Sequence, residues 1–368
     1  MDQNRRRLLQ SMLWAGSAAS LRPTAAQSAK RLGIPGPFPG RVAAVHHPAC
    51  IVSGAYQAEP ARAMVGKGMM KLTGAPSPEE AWRVFFEPGD VVGIKVNPVG
   101  QPHVISDATV FQAIVEGLQM AGVKTRDIVA YDRYRKQVLS GGFDKWLPEG
   151  VRWTYATDDA DPLQLDMDGY DADQYVEMAL TLPKANPANP HHRRSYLARF
   201  ISKDVNKMVN LCVLKHHQSA GVTIALKNMS HGLVNNVSRS HSSDTLNTCG
   251  TFIPAIVDHP VIRQKVVLHV LDAIKAAYHG GPGGKVAKYL WEPKTMYFAT
   301  DPVALDKTGW TVIDKTRVAM GMMPIAMAKP DQDSNFLNMQ VEHIEIAGAL
   351  GLGEFSDEKI DLRRVELS

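Results

Sequence analysis

Val91-Val92-Gly93-Ile94-Lys95-Val96 is an apolar run of strand length, and its surroundings decide the fold. Downstream, Ser106 or Asp107 can cap a helix whose apolar stripe is Val110, Phe111, Ile114, Val115 and Leu118. Those positions repeat with the period of one helix face. Gly122 ends the helix, and Asp127-Ile128-Val129-Ala130-Tyr131 reads as a second strand. Strand, helix and strand over about 40 residues read as a βαβ unit, so a parallel sheet is the natural inference. The expected class is therefore α/β, a mostly parallel sheet with flanking helices and Rossmann-like βαβ units.

Outward from this unit, residues 30–41 are rich in Gly and Pro and read as a linker into the fold. Residues 157–200 hold Asp158-Asp159, Asp166, Asp168, Asp171 and Asp173, then Asn186-Pro187-Ala188-Asn189-Pro190. An irregular insertion with short elements is expected there. Its aspartates lack the spacing and glycine of a calcium loop and read as solvated. Regular structure resumes with the apolar strand 207–214. Helices are expected over 222–231 and 261–278, the latter stopped by the glycines of 280–284. A strand is expected over 295–299, then a helix opened by Asp301-Pro302 as cap and first residue, and a last strand over 343–347.

The N-terminus has the three parts of an export signal: Arg5-Arg6-Arg7, a diluted apolar stretch from Leu8 to Leu21, and small residues at Thr24-Ala25-Ala26. The apolar stretch is too short for a span, which needs about 20 apolar residues. Asn4-Arg5-Arg6-Arg7-Leu8-Leu9-Gln10 resembles the twin-arginine signature. That resemblance implies a signal peptide over 1–29, the twin-arginine translocase as partner, and a bacterial periplasmic protein that folds before export. Residues 30–368 are then expected to form one α/β domain. Apolar residues make up 45% of the chain and charged residues 21%, an ordinary globular composition. The formal charge of +4 includes the N-terminal arginines, so nothing in the bulk charge suggests nucleic-acid binding. Cys50, Cys212 and Cys249 allow at most one internal disulfide, show no iron–sulfur spacing, and Cys212 reads as a buried small hydrophobe.

The chemistry-bearing stretch is Lys215-His216-His217, then Thr223-Ile224-Ala225-Leu226-Lys227-Asn228-Met229-Ser230-His231, and His241 in a Ser-rich loop. It follows a buried strand directly, and open α/β sheets bind ligands at the carboxyl ends of their strands. Lys95 and Asn97 leave the first strand at the same edge. Lysines converging there favour a carboxylate or phosphate, and histidines can bind a divalent metal or move a proton near neutral pH. The candidate catalytic residues are His217, Lys227 and Lys215. Lys95, Asn97, Lys227 and Asn228 are candidates for holding a cofactor or anion, and His217 and His241 for holding a metal. Asp272, Asp301 and Asp306 could close the site from the other side, although Asp301 is explained as a helix cap.

These motifs resemble those of the bacterial and archaeal family called domain of unknown function 362. Val92-Gly93-Ile94-Lys95-Val96-Asn97 is similar to its V-x-I-K-x-N strand. The likeness continues through Asp127 to Asp132, Lys215-x-His217, Thr223 to Asn228, His241, Asp272-Ala273-Ile274, Gly280-Gly281-Pro282 and Thr300 to Asp306, about residues 88–310. Many members carry iron–sulfur segments, which this chain lacks. A more distant resemblance is to nickel-pincer lactate racemases, where a lysine ten residues after a histidine bears a nickel-type nucleotide cofactor. His217 and Lys227 share that spacing and His241 follows, but the second catalytic histidine has no match; Asp132-Arg133 stands near its place. Three functions stay open. One is an enzyme on a small organic acid, racemase-like or associated with an oxidoreductase. The others are a non-enzymatic periplasmic accessory protein holding a ligand or metal, and an exported domain whose Lys and His residues are merely solvated.

Overall fold

In the computed structural model, which describes residues 31–283 and 286–368, the Val92–Lys95 run lies inside a ten-stranded sheet. The signal-peptide expectation falls outside the described residues. Strands follow in the order β1 (Arg41–His46), the small hairpin β2 (Ile51–Val52) and β3 (Ala55–Tyr56), β4 (Val92–Lys95), β5 (Ile128–Tyr131) and β6 (Arg152–Thr154). Then come β7 (Tyr170–Glu177), β8 (Arg194–Ala198), β9 (Lys207–His217), β10 (Gly221–Thr223), β11 (Val266–Ala277), β12 (Leu290–Trp291), β13 (Thr295–Ala299) and β14 (Asp361–Glu366). The main sheet runs β14-β1-β13-β11-β9-β4-β5-β6, with β10 on β9 and β12 on β11. Along that path only β13 is antiparallel to its neighbours. The α/β class, mostly parallel with flanking helices, is what the chain adopts. Residues 32–368 form one compact unit.

Alternation along the central strands divides the core in two. Met208, Cys212 and Leu214 of β9 pack with Leu226, Met229 and Ile256 on one face. Val209 and Leu211 pack with Trp82, Phe111, Ile114 and Leu118 on the other. Strands covered on both faces lose the polar half of their alternation. That explains where the sequence expectation fails. Residues 261–278 are not one helix: the helix stops at Lys265 and β11 takes over, buried along nearly its whole length. The glycines at 280–283 therefore follow a strand. Residues 343–347 form no strand; they belong to the helix His343–Ala349, which buries His343, Ile344 and Ala347 on one side. The helix expected from 222 begins at Ala225, because Gly221–Thr223 pairs with β9.

The insertion expected over 157–200 does contain short elements, β7 and β8 paired apart from the main sheet. Asp158 and Asp159 are exposed there, but Asp171 is buried against Lys203. The segment after residue 30 is no free linker. Ile34 is buried and its N–H donates to Arg263 O at 2.8 Å, and the Gly40 N–H donates to Asp301 Oδ2 at 2.8 Å. The three cysteines are all free and buried.

Candidate functional site

The helix Ala225–Gly232 carries three of the residues singled out by sequence, and its seat is built from both sides. Its first N–H groups, which have no partner within a helix, are satisfied by a buried carboxylate: Asp306 accepts from Ala225 N at 2.7 Å and Leu226 N at 3.1 Å. At the other end, Tyr131 Oη donates to Gly232 O at 3.1 Å. Gly232 must be glycine, because a Cβ there would stand 2.0 Å from Lys95 Cε. The helix thus lies directly on the carboxyl end of β4. Asp301, in turn, caps its own helix through Val303 and Ala304 N, each at 2.9 Å. Asp272 bonds Tyr56 Oη at 3.3 Å. None of the three aspartates lines the pocket, so they do not close the site from the other side.

The pocket between this helix, the strand ends and the 237–241 loop encloses about 260 Å³. All seven sequence candidates line it: Lys95, Asn97, Lys215, His217, Lys227, Asn228 and His241. Asp132, Arg133, His231 and Thr223 join them. The edge predicted from strand topology is therefore where these residues meet.

Within the pocket the three lysines differ. Lys95 Nζ is paired with Asp132 and donates to Val96 O and to Asn228 Oδ1. Lys215 Nζ donates to Asn97 Oδ1 at 2.8 Å, to Val99 O and to Val104 O. An ammonium has three hydrogens to give, so both lysines are saturated. Their acceptors are fixed by an amide chain. Asn97 Nδ2 donates to Asn228 Oδ1 at 2.9 Å, and Asn228 Nδ2 donates to Asn210 Oδ1 at 2.7 Å. Asn210 Nδ2 then reaches Ala225 O at 3.1 Å and His269 Nδ1 at 3.2 Å. Lys227 Nζ, only 6% of its residue exposed, has no hydrogen bond or ion pair among the described residues. Burial, then the Arg133 charge, pulls its pKa down to about 8, with Cys249 acting the other way. Burial also lowers Lys95, outweighing Asp132, and pushes Lys215 well below the usual lysine range, with Lys227 and Lys95 adding repulsion.

The histidines are held in defined roles. His217 Nδ1 accepts the N–H of Ser219 at 3.2 Å, so its hydrogen sits on Nε2 and points a donor into the pocket. It is placed as a hydrogen-bond donor, without the free lone pair that the expected metal role requires. Ser240 Oγ donates to Val237 O at 2.7 Å and so accepts from His231 Nε2 at 2.9 Å and His241 Nδ1 at 2.6 Å. His241 then keeps its lone pair on Nε2, which has no protein partner among the described residues and faces the cavity. The rings of His217 and His241 are 5.4 Å apart. Burial first, then Lys227, pushes the pKa of all three pocket histidines well below the usual value. Behind them, ligand atoms of His231, His241 and Cys249 lie within 4.8 Å of one another. Two imidazoles and a thiol suit zinc, copper or nickel better than magnesium or calcium.

Sequence reasoning missed Cys249 as a neighbour of this cluster and Asp132 as the partner of Lys95. No local motif announces either: Asp132 directly follows β5, and Cys249 opens a helix after an irregular loop.

Comparison with known proteins gives one family. The model described as Domain of unknown function (DUF362) matches residues 92–311, more than half of the chain. No curated protein matches the sequence. Among solved structures, a Thermotoga maritima protein is similar at 10% identity and TM-score 0.37 over 54% of this chain, which spans only 50% of that one. A loganic acid methyltransferase with SAH is similar at 12% identity and TM-score 0.27, over 80% of this chain and 70% of that one. Among the described residues no helix is long and apolar enough to cross a membrane.

Proposed function

The chain belongs to the family described as Domain of unknown function (DUF362), and from that footing we propose that it binds a small organic acid in the Lys/His pocket and moves a proton on it. The single observation that carries this reading is Lys227. Its ammonium has no protein partner among the described residues and opens onto a cavity that already holds Lys95, Lys215 and Arg133 against one carboxylate, Asp132. An anion supplies the missing charge. Lys227 and the His217 Nε2–H meet its oxygens, while the saturated lysines contribute field and fix the walls. His241 Nε2 is the proton acceptor at the cavity edge. Calorimetric titration with small carboxylates and phosphate tests this. Binding that weakens at least tenfold in Lys227→Met supports the reading; absence of binding by every anion rejects it.

The nickel-type cofactor fits in part. Lys227 is free to carry a covalent group, and His241 offers a lone pair. The second histidine is missing: Asp132 occupies that region and is bound to Lys95. Two-histidine racemisation is therefore not proposed.

A second reading rests on His231, His241 and Cys249: a periplasmic accessory protein that holds a divalent metal. Metal retained through desalting and lost in Cys249→Ser would favour it over the first. Export by the twin-arginine route, cleavage near residue 29 and a periplasmic location are part of both readings. Fractionation of cells producing the chain with Arg5 and Arg6 replaced by lysine tests them, with retention in the cytoplasm expected.

A further inference from the structure

We propose that the ligand is a 2-oxo acid and that Lys227 joins it covalently as an imine. The inference rests on the organic-acid reading above and narrows it. Lys227 Nζ has no partner in the described residues and opens onto the cavity, while the rest of the side chain is buried. A lysine desolvated beside other cations is the type that reacts with carbonyl carbons, since part of its population is the free amine. The neighbours supply the rest of the requirement. Arg133, whose guanidinium stacks on Tyr134 at 4.2 Å, presents positive charge to the same cavity for a carboxylate. The His217 Nε2–H is a donor for the carbonyl oxygen, and the His241 Nε2 lone pair can carry a proton from nitrogen to oxygen.

The step balances without any outside reagent. His241 takes one proton from the Lys227 ammonium. The amine nitrogen then attacks the carbonyl carbon, a C–N bond forms, and the C=O π pair moves to oxygen. That oxygen is protonated, with the proton on His241 and a second from nitrogen, and leaves as water. Lys227 and the acid remain joined as an iminium carrying one hydrogen on nitrogen. Ammonium plus carbonyl thus gives iminium plus water, with no change in oxidation state. Lys95 and Lys215 are instead held by protein acceptors, so their nitrogens are not turned free toward a ligand carbonyl as Lys227 is.

The experiment is reductive trapping on the whole folded protein. Pyruvate is the probe, sodium borohydride the reductant, and intact and peptide mass the readout, with calorimetric binding of pyruvate measured alongside. A reduced adduct on Lys227, absent in Lys227→Met, is expected. Lys227→Arg keeps the charge, so it should still bind pyruvate within about tenfold yet form no adduct, which separates chemistry from folding and from anion binding. Pyruvate binding without a trapped adduct overturns the imine and leaves the organic-acid reading standing. An adduct on Lys95 or Lys215 instead also overturns it. Failure of pyruvate, other small carboxylates and phosphate to bind removes both.

Discussion

Two walls of one pocket use the same residue type in opposite ways. On the strand-end wall, Lys95 and Lys215 are each bonded to three acceptors and locked by the Asn97–Asn228–Asn210 chain. On the helix wall, Lys227 bonds nothing among the described residues, and His241 Nε2 is free beside it. A saturated buried lysine is part of the structure, since its removal leaves acceptors orphaned. A free one weakens the structure and is kept for what it meets. The difference assigns architecture to the sheet edge and chemistry to the helix.

The comparison breaks most visibly at Asp132. Asp132→Asn leaves the Lys95 charge buried without its counter-ion, and should cost about 3–5 kcal/mol of stability, read from the denaturant midpoint. Lys227→Met should do the reverse. With its pKa depressed to about 8, keeping that ammonium protonated at pH 7 costs about 3 kcal/mol, one pKa unit being about 1.4 kcal/mol. The variant should therefore unfold at higher denaturant than the parent while losing anion binding. The sign follows from proton counting. Between the folded value of about 8 and the ordinary 10.5 the unfolded chain holds more protons, so ligand-free stability should rise with pH across that window, and less steeply in Lys227→Met, where the lowered Lys95 and Lys215 still contribute.

Asn97→Ala comes next. It orphans one Lys215 hydrogen and removes one of the two donors to Asn228 Oδ1, for a loss of about 1–3 kcal/mol by the same denaturation measurement. The smallest effect is on binding with pH. Raising pH from 7 to 9 takes Lys227 from mostly charged to mostly neutral, and the calorimetric affinity for a small carboxylate should fall about tenfold.

Much of this was legible in the sequence for physical reasons. The β4–helix–β5 unit declares itself because its helix has a periodic stripe, a cap at Asp107 and a glycine stop. Once the strands are parallel, Lys95, Asn97 and Lys215 must leave at one edge, and Lys227 follows within a turn and a helix. What stayed hidden depends on contacts. Val266–Ala277 sits between β9 and β13, apolar on both faces, and so has no strand alternation to distinguish it from the helix that precedes it. His343–Ala349 alternates over five residues by chance of a short amphipathic helix. The saturation of Lys95 and the freedom of Lys227 are equally invisible, because lysine followed by asparagine within two residues reads the same in both places until Asp132 and Asn97 are located.

The most direct test of the account is a matched titration of pyruvate and of phosphate into the parent, Lys227→Arg and Lys227→Met proteins at pH 7. The account predicts binding of one anion per chain in the parent, retention with arginine and loss with methionine, with Lys227→Met the more stable protein in the absence of ligand. Equal binding by all three proteins, or an Lys227→Met protein that is less stable than the parent, would contradict it.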